Sequence, residues 1–203
     1  VIPLPMEKFI DPRTPFKSAR PETHEEWQAR MGGEVLAVVR SELYLDFRFL
    51  DMALGALAPV PDEMCRGLAT DGVTLYYQPS ALLRLYKQNP KYLTRLYLHT
   101  VFHCVFRHLW LRGRREKQLW HLACDIAVEN VIDHLGRKSV TRPLTYLRQN
   151  AYRRITEEEK LVAAAPAYRW LCRQTPGVLR QLEREFCTDD HRLWRDDPPD
   201  TPQ

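Results

Sequence analysis

Apolar residues recur every three to four positions along most of the chain, which is the spacing of one face of an α-helix. The clearest run lies between residues 34 and 57, at Leu36, Val39, Leu43, Phe47, Leu50 and Leu54. This run predicts a long core helix. Upstream, Thr23 and Glu26 form a capping-box pair, so a helix is predicted to begin there and to be interrupted at Gly32 and Gly33.

One short stretch has the character of a β-strand instead. Thr70, Asp71 and Gly72 form a turn signal, and the β-branched and aromatic run 73–77 follows it. With a second short strand at Leu68, this predicts a small β-hairpin, or edge strand, near residues 68–77. The rest of the pattern is helical, so the predicted fold class is mainly α (α+β).

Two consecutive helices are predicted in the middle of the chain. Asn89 and Pro90 suit the N-cap and the first position of a helix that should run to about Leu111. Gly113 lies just past its expected end. A second helix is predicted over about residues 115–134.

The ends of the chain differ from its middle. Residues 1–22 hold five prolines and are predicted to form an extended N-terminal arm. Residues 23–188 are predicted to form one domain, with further helix starts at Thr156 and Thr175. The acidic, proline-rich residues 189–203 are interpreted as a linker or tail.

Composition and charge narrow the function classes only slightly. The net charge of +4 is mild, and its densest basic cluster, residues 107–117, coincides with a predicted helix end, where cations suit the helix dipole. Nucleic-acid binding is therefore the less favoured interpretation of that cluster. Five cysteines without a C-x-x-C pair indicate reduced thiols in a cytoplasmic protein. The sequence shows no signal peptide and no run long enough to span a membrane.

The candidate chemistry lies on the two central helices. His99 and His103 are four residues apart, so they lie about 40° apart on one helix face, where two imidazoles can share a metal ion. Asp125 lies in the apolar run 122–128 of the next helix, where an unpaired carboxylate would be costly. Antiparallel packing would bring Asp125 opposite the two histidines. This trio, with a fourth position open, predicts a zinc site.

Three further residues bear on that site. His108 is the alternative third ligand, but it lies about 180° from the first histidine on a continuous helix. No glycine lies in the five residues before it to permit a break, so Asp125 is preferred. Glu129 and His121 each lie one turn from Asp125 and are candidates to orient a ligand, with solvated surface residues as the alternative.

Four stretches carry a family resemblance. They are residues 70–79, the motif His99-x-x-x-His103-x-x-x-x-His108, residues 119–125 and residues 189–194. Together they resemble a bacterial family of metallopeptidase-like domains with a zincin-like fold, commonly followed by a von Willebrand A-like domain. The resemblance covers about residues 35–195. It implies His99 and His103 as metal ligands, with Asp125 at the matching position on the next helix.

Thr100 departs from that family's pattern, H-E-x-x-H, in which the glutamate acts as general base. Losing a general base typically costs about 10²–10⁴-fold in rate. The resemblance therefore implies a peptidase-like fold more firmly than it implies peptidase activity. The predicted function is a zinc-binding, catalytically impaired module that binds or regulates a protein or peptide partner, such as an AAA-type ATPase or a von Willebrand A-like domain.

Two alternatives remain open at this point. The protein is an active metal-dependent hydrolase if another carboxylate, such as Glu129, replaces the missing base; strand 73–77 would then be the edge that holds an extended peptide. It is a metal-free helical scaffold if the histidines and Asp125 only form a buried polar network.

Overall fold

Helices dominate the computed structural model, which describes residues 20–194. Within that range the chain forms eight α-helices, two 3-10 turns and a three-stranded sheet, which confirms the predicted mainly α (α+β) class. Most of the predicted N-terminal arm, residues 1–19, and residues 195–203 of the predicted tail lie outside the described residues. The elements in chain order are α1 His24–Asp46, α2 Asp51–Gly55, β1 Ala58–Pro61, β2 Leu68–Thr70, β3 Thr74–Tyr77, α3 Pro79–Gln88, α4 Pro90–Val105, α5 Lys117–His134, α6 Tyr146–Glu159, α7 Ala164–Leu171 and α8 Pro176–Phe186.

Helix α1 begins at the predicted capping box but is longer and differently bounded than predicted. The Thr23 hydroxyl accepts from the backbone N–H of Glu26, and the Glu26 carboxylate accepts from that of Thr23. The helix continues through Gly32, so the predicted interruption is wrong. It ends at Asp46, and a 3-10 turn and the short α2 replace the rest of the predicted helix. The Tyr77 ring packs directly against Gly32, in the space that a side chain at this position would need. The Tyr77 hydroxyl donates a hydrogen bond to the carbonyl oxygen of Ala29 at 2.8 Å.

This contact makes the two adjacent glycines of α1 respond oppositely to alanine. A Cβ at Gly32 would lie 2.6 Å from Cε2 of the buried Tyr77, whereas one at Gly33 would meet only the Tyr77 hydroxyl at 3.8 Å. We expect Gly32→Ala to lower the free energy of unfolding by about 1–3 kcal/mol, because the added methyl group overpacks the contact with Tyr77. The higher helix propensity of alanine offsets part of this loss. We expect Gly33→Ala to stabilise by up to about 1 kcal/mol. Urea unfolding measures both, and equal stabilisation by the two variants would contradict the close packing.

The sheet has the order β1-β3-β2. Strands β2 and β3 form the predicted antiparallel hairpin, whose turn is fixed by the Asp71 carboxylate accepting from the backbone N–H groups of Val73 and Thr74. Strand β1 pairs parallel with β3 and was not predicted, because Pro59 and Pro61 indicated a break. Its presence makes β3 the central strand, so the predicted peptide-holding edge at 73–77 lies inside the sheet.

Helix α4 starts as predicted, with the Asn89 side chain accepting from the backbone N–H of Tyr92. It ends at Val105, six residues before the predicted end at Leu111. The cause is Arg107, which adopts a left-handed conformation (φ 59°) that starts a 3-10 turn. A non-glycine residue rarely takes this conformation, so the sequence carries no signal for the break.

The later helices follow the predictions in part. Helix α5 lies close to its predicted range, and Thr175 is the N-cap residue of α8 as predicted. Thr156 does not start a helix; it lies inside α6, where its hydroxyl donates to the carbonyl oxygen of Tyr152. The N-cap of α6 is Thr145. Between residues 20 and 194 no helix has the length and apolarity that crossing a bilayer demands.

Candidate metal centre

The predicted trio meets where α4 and α5 pack together. His99 and His103 project from α4 and Asp125 from α5, and all three are fully buried. Oδ1 of Asp125 lies 3.4 Å from Nε2 of His99 and 3.3 Å from Nε2 of His103. The two Nε2 atoms are 2.9 Å apart. Helical spacing brings the two histidines to one face of α4, and the packing of α5 against α4 places Asp125 opposite them.

Two further side chains join the trio and were missed. Asp189 and His191 follow α8, in the stretch interpreted as a tail, and their side chains are almost fully buried. Oδ1 of Asp189 lies 3.4 Å from Nε2 of His99, and Nε2 of His191 lies 3.2 Å from Oδ1 of Asp125. One ligand atom from each of the five residues lies within 4.8 Å of the others. These residues, His99, His103, Asp125, Asp189 and His191, are called the five-residue cluster below.

The five-residue cluster fits a divalent cation. Among the described residues, both carboxylate oxygens of Asp125, Oδ1 of Asp189 and Nε2 of His191 are buried without a partner in hydrogen-bond geometry. Such atoms are costly unless something binds them. Nitrogen and oxygen ligands at about 2.0–2.1 Å from a tetrahedral zinc are about 3.3 Å apart. The separations of 3.2–3.4 Å from Oδ1 of Asp125 match that spacing. The two Nε2 atoms of His99 and His103, at 2.9 Å, and the Asp189–His191 pair, at 2.7 Å, are closer together than that.

The charges of the cluster also favour a cation. Burial opposes a charge on His191, but the carboxylates of Asp189 and Asp125 raise its pKa to about 10. Burial likewise disfavours protonated His99, yet the neighbouring carboxylates, Asp189 foremost, raise the pKa of His99 well above its ordinary value. Burial alone would raise the pKa of Asp125, but the surrounding imidazoles hold it well below the usual range. The carboxylates thus hold positive charge at the centre of the cluster.

Glu129 contacts His99 on the side of the ring that faces away from the cluster. Its Oε1 lies 2.8 Å from Nδ1 of His99, so the ring presents Nε2 to the cluster. Its other oxygen accepts from Arg95 at 2.6 Å and from Arg148 at 2.5 Å, and both arginines also bond Asp133. A carboxylate on the distal nitrogen of a metal-binding histidine fixes the ring orientation. Glu129 is buried and occupied by these contacts, so it is neither a surface residue nor a free base.

We expect Glu129→Gln to weaken zinc binding by about 10–100-fold, because the amide orients His99 less strongly than the carboxylate. Asp133→Asn is the matched control, since Asp133 bonds the same two arginines without contacting His99. Competition with a fluorescent zinc chelator measures both affinities. Equal loss in the two variants would mean that Glu129 acts only through the arginine network.

His108 contacts His103 from the side opposite the cluster. The left-handed turn at Arg107 brings its Nδ1 to 3.0 Å from Nδ1 of His103. The helix does break before His108, so the expectation of a continuous helix is wrong, although the break does not bring His108 into the cluster. Burial is the main cause that lowers the pKa of His108 to about 3 and of His103 to about 4.

Thr100 lies beside a carboxylate that comes from elsewhere in the chain. Its hydroxyl is 3.1 Å from the carbonyl oxygen of Leu96 and 3.3 Å from Oδ2 of Asp189. Position 100 therefore supplies no carboxylate of its own, while Asp189 brings one to the same place.

A cleft of about 480 Å³ opens onto the cluster between α5, α8 and the residues that follow α8. Asp125, Asp189 and His191 form its inner wall, and Gln118 and Glu183 are among its other lining residues. His121, predicted to lie near the site, lines the cleft with its ring centroid 4.8 Å from that of His191. The cluster is thus buried but borders an open cleft.

Comparison with known proteins agrees with this arrangement. A family model described as "Putative metallopeptidase domain" matches residues 37–174, more than half of the chain. The chain belongs to this family. The matched region contains three members of the five-residue cluster, and Asp189 and His191 lie beyond it. Neither the curated proteins nor the solved structures contain a significant match.

Proposed function

We propose that this protein is a zinc-binding, metallopeptidase-like module with impaired hydrolysis that acts by binding or regulating a partner. The observation that carries the proposal is the crowding of ligand-type side chains at one point. His99, His103 and Asp125 would supply a set of three, and Asp189 and His191 lie where further positions would otherwise stay open. Structural zinc sites are closed by protein ligands, whereas catalytic ones keep an open position.

Zinc is favoured by the donors. Three imidazole nitrogens and two carboxylate oxygens suit zinc and related divalent metals, and no thiol of the described residues joins the cluster. When bound, zinc supplies Lewis-acid polarisation. His99 and His103 would hold it from α4, Asp125 from α5, and Glu129 would fix the orientation of His99. Thr100 has no acidic group, so the position that accepts a proton in the H-E-x-x-H pattern cannot do so here.

A second candidate function is an active hydrolase with a displaced base. The specific observation is the carboxylate of Asp189, whose Oδ2 lies 3.3 Å from the Thr100 hydroxyl. A short side chain at position 100 leaves room for it. In this case Asp189, and not Glu129, would accept the proton.

The setting and partners of the module are part of the proposal. All five cysteines are free, which supports a reducing, cytoplasmic setting. A protein or peptide partner, such as an AAA-type ATPase or a von Willebrand A-like domain, rests on the family resemblance alone.

The test combines metal analysis with a cleavage assay. We expect mass spectrometry of untagged protein to find about one zinc per chain, and a mixed peptide library to show no chelator-sensitive cleavage. Cleavage that Asp189→Asn abolishes while zinc is retained would establish the second candidate. Protein that takes up no zinc, and unfolds identically with and without chelator, would establish a metal-free scaffold.

A further inference from the structure

The residues after α8 lie along the outer edge of the sheet. This segment, residues 187–194, is called the strap below. The backbone N–H of Asp190 donates to the carbonyl oxygen of Leu68 at 2.8 Å, and Asp190 forms a parallel bridge with Ala69 of β2. The Asp190 carboxylate accepts from the backbone N–H of Arg66 at 3.1 Å. The strap therefore takes the position that the next strand of the sheet would occupy.

The strap carries three side chains into the site. Asp189 and His191 flank the bridging residue, and both enter the five-residue cluster. Trp194 stacks on His191 with ring centroids 3.8 Å apart and meets the edge of His103 at 4.8 Å. Alternation along an extended chain explains the common direction of Asp189 and His191, because residues two apart point to the same face.

The strap also covers the sheet edge nearest the site, which is the outer edge of β2. An extended peptide binds a sheet by adding a strand to a free edge. The β1 edge is poor for this purpose because Pro59 and Pro61 have no N–H to donate. The β2 edge is taken by the strap. In the part of the chain that the structure describes, no other sheet edge exists.

We infer that Asp189 and His191 are metal ligands, and that the metal thereby fastens the strap over the β2 edge. The inference rests on the proposed metal binding. Oδ1 of Asp189 and Nε2 of His191 lie 2.7 Å apart without hydrogen-bond geometry, and both are buried. They also face Nε2 of His99 at 3.4 Å and Oδ1 of Asp125 at 3.2 Å, respectively, which is the spacing of ligands around one cation. Loss of the metal loosens the strap, opens the cleft and uncovers the β2 edge.

Hydrogen–deuterium exchange tests this inference on the intact protein. With zinc bound, amides of residues 188–194 and 68–70 are expected to exchange at least ~10-fold more slowly than after chelation, while the core of α4 stays unchanged. Asp189→Asn and His191→Ala are expected to weaken zinc binding at least ~10-fold and to remove the zinc-dependent protection. Glu183→Gln is the matched control, because Glu183 lines the same cleft outside the cluster.

Two results would overturn the inference. If both strap variants bind zinc like the unaltered protein, His99, His103 and Asp125 hold the metal alone, and the proposed function stands without the strap. If zinc binds but strap exchange is the same with and without it, the strap is held by its own contacts. Failure of the unaltered protein to bind zinc would instead remove the proposed function itself.

Discussion

His103→Ala is expected to lower the zinc affinity of the protein by about 100-fold or more. Structural zinc sites bind with about 10–16 kcal/mol shared among four ligands, so one ligand is worth roughly 3 kcal/mol. The neighbouring His108 cannot replace His103, because it contacts Nδ1 on the far side of the ring.

Isothermal titration of metal-free protein with zinc measures this change. His134→Ala is the control, because His134 is exposed at the end of α5, where its Nδ1 lies 2.7 Å from the carbonyl oxygen of Asn130. Circular dichroism of both variants verifies that the helices persist. Unchanged zinc affinity in folded His103→Ala protein would place the metal elsewhere.

Arg148→Met is expected to lower the free energy of unfolding by about 3–5 kcal/mol, because removing one partner of a buried ion pair leaves uncompensated charge. The Arg148 side chain is fully buried, and it donates to Glu129 at 2.5 Å, Asp133 at 3.1 Å and Glu185 at 2.7 Å. Its guanidinium also lies over the Phe186 ring at 4.7 Å. One residue therefore neutralises carboxylates from two helices, α5 and α8.

Arg153→Met on the same helix provides the comparison. The side chains of Arg153 and its partner Glu157 are 61% and 59% exposed. Ion pairs this exposed contribute about 0–1 kcal/mol to the free energy of unfolding. Urea unfolding measures the free energy of unfolding of both variants. Metal-free protein is used so that changes in metal binding do not contribute to the result. Similar losses in both variants would show that the buried network contributes no more than a surface pair.

The sequence predicts the parts of this fold that depend on local chemistry. The Thr23 capping box and the Asn89-Pro90 helix start are confirmed because capping involves residues within one turn of each other. The pairing of His99 and His103 follows from helical spacing alone. The proximity of Asp125 to these histidines could be predicted because a carboxylate within an apolar run requires a buried partner.

The parts that escaped prediction depend on distant contacts. From the sequence, Gly32 was predicted to interrupt a helix. In the structure the ring of Tyr77, which lies 45 residues later, occupies the space that a side chain at position 32 would need. Asp189 and His191 lie in an acidic stretch next to prolines, which resembles a linker by composition. The contacts of Asp190 with Arg66, Leu68 and Ala69 show that this stretch returns to the sheet, and no local pattern encodes them.

The position of the strap along the chain gives the protein an order of assembly. During synthesis His99, His103 and Asp125 leave the ribosome well before Asp189 and His191, which lie more than sixty residues later. The α4–α5 pair can therefore meet a metal ion while two members of the cluster are still unmade. On the proposed coordination, the ligand set is completed late in the synthesis of each chain. A fragment cut after residue 174 would retain three of the five cluster residues.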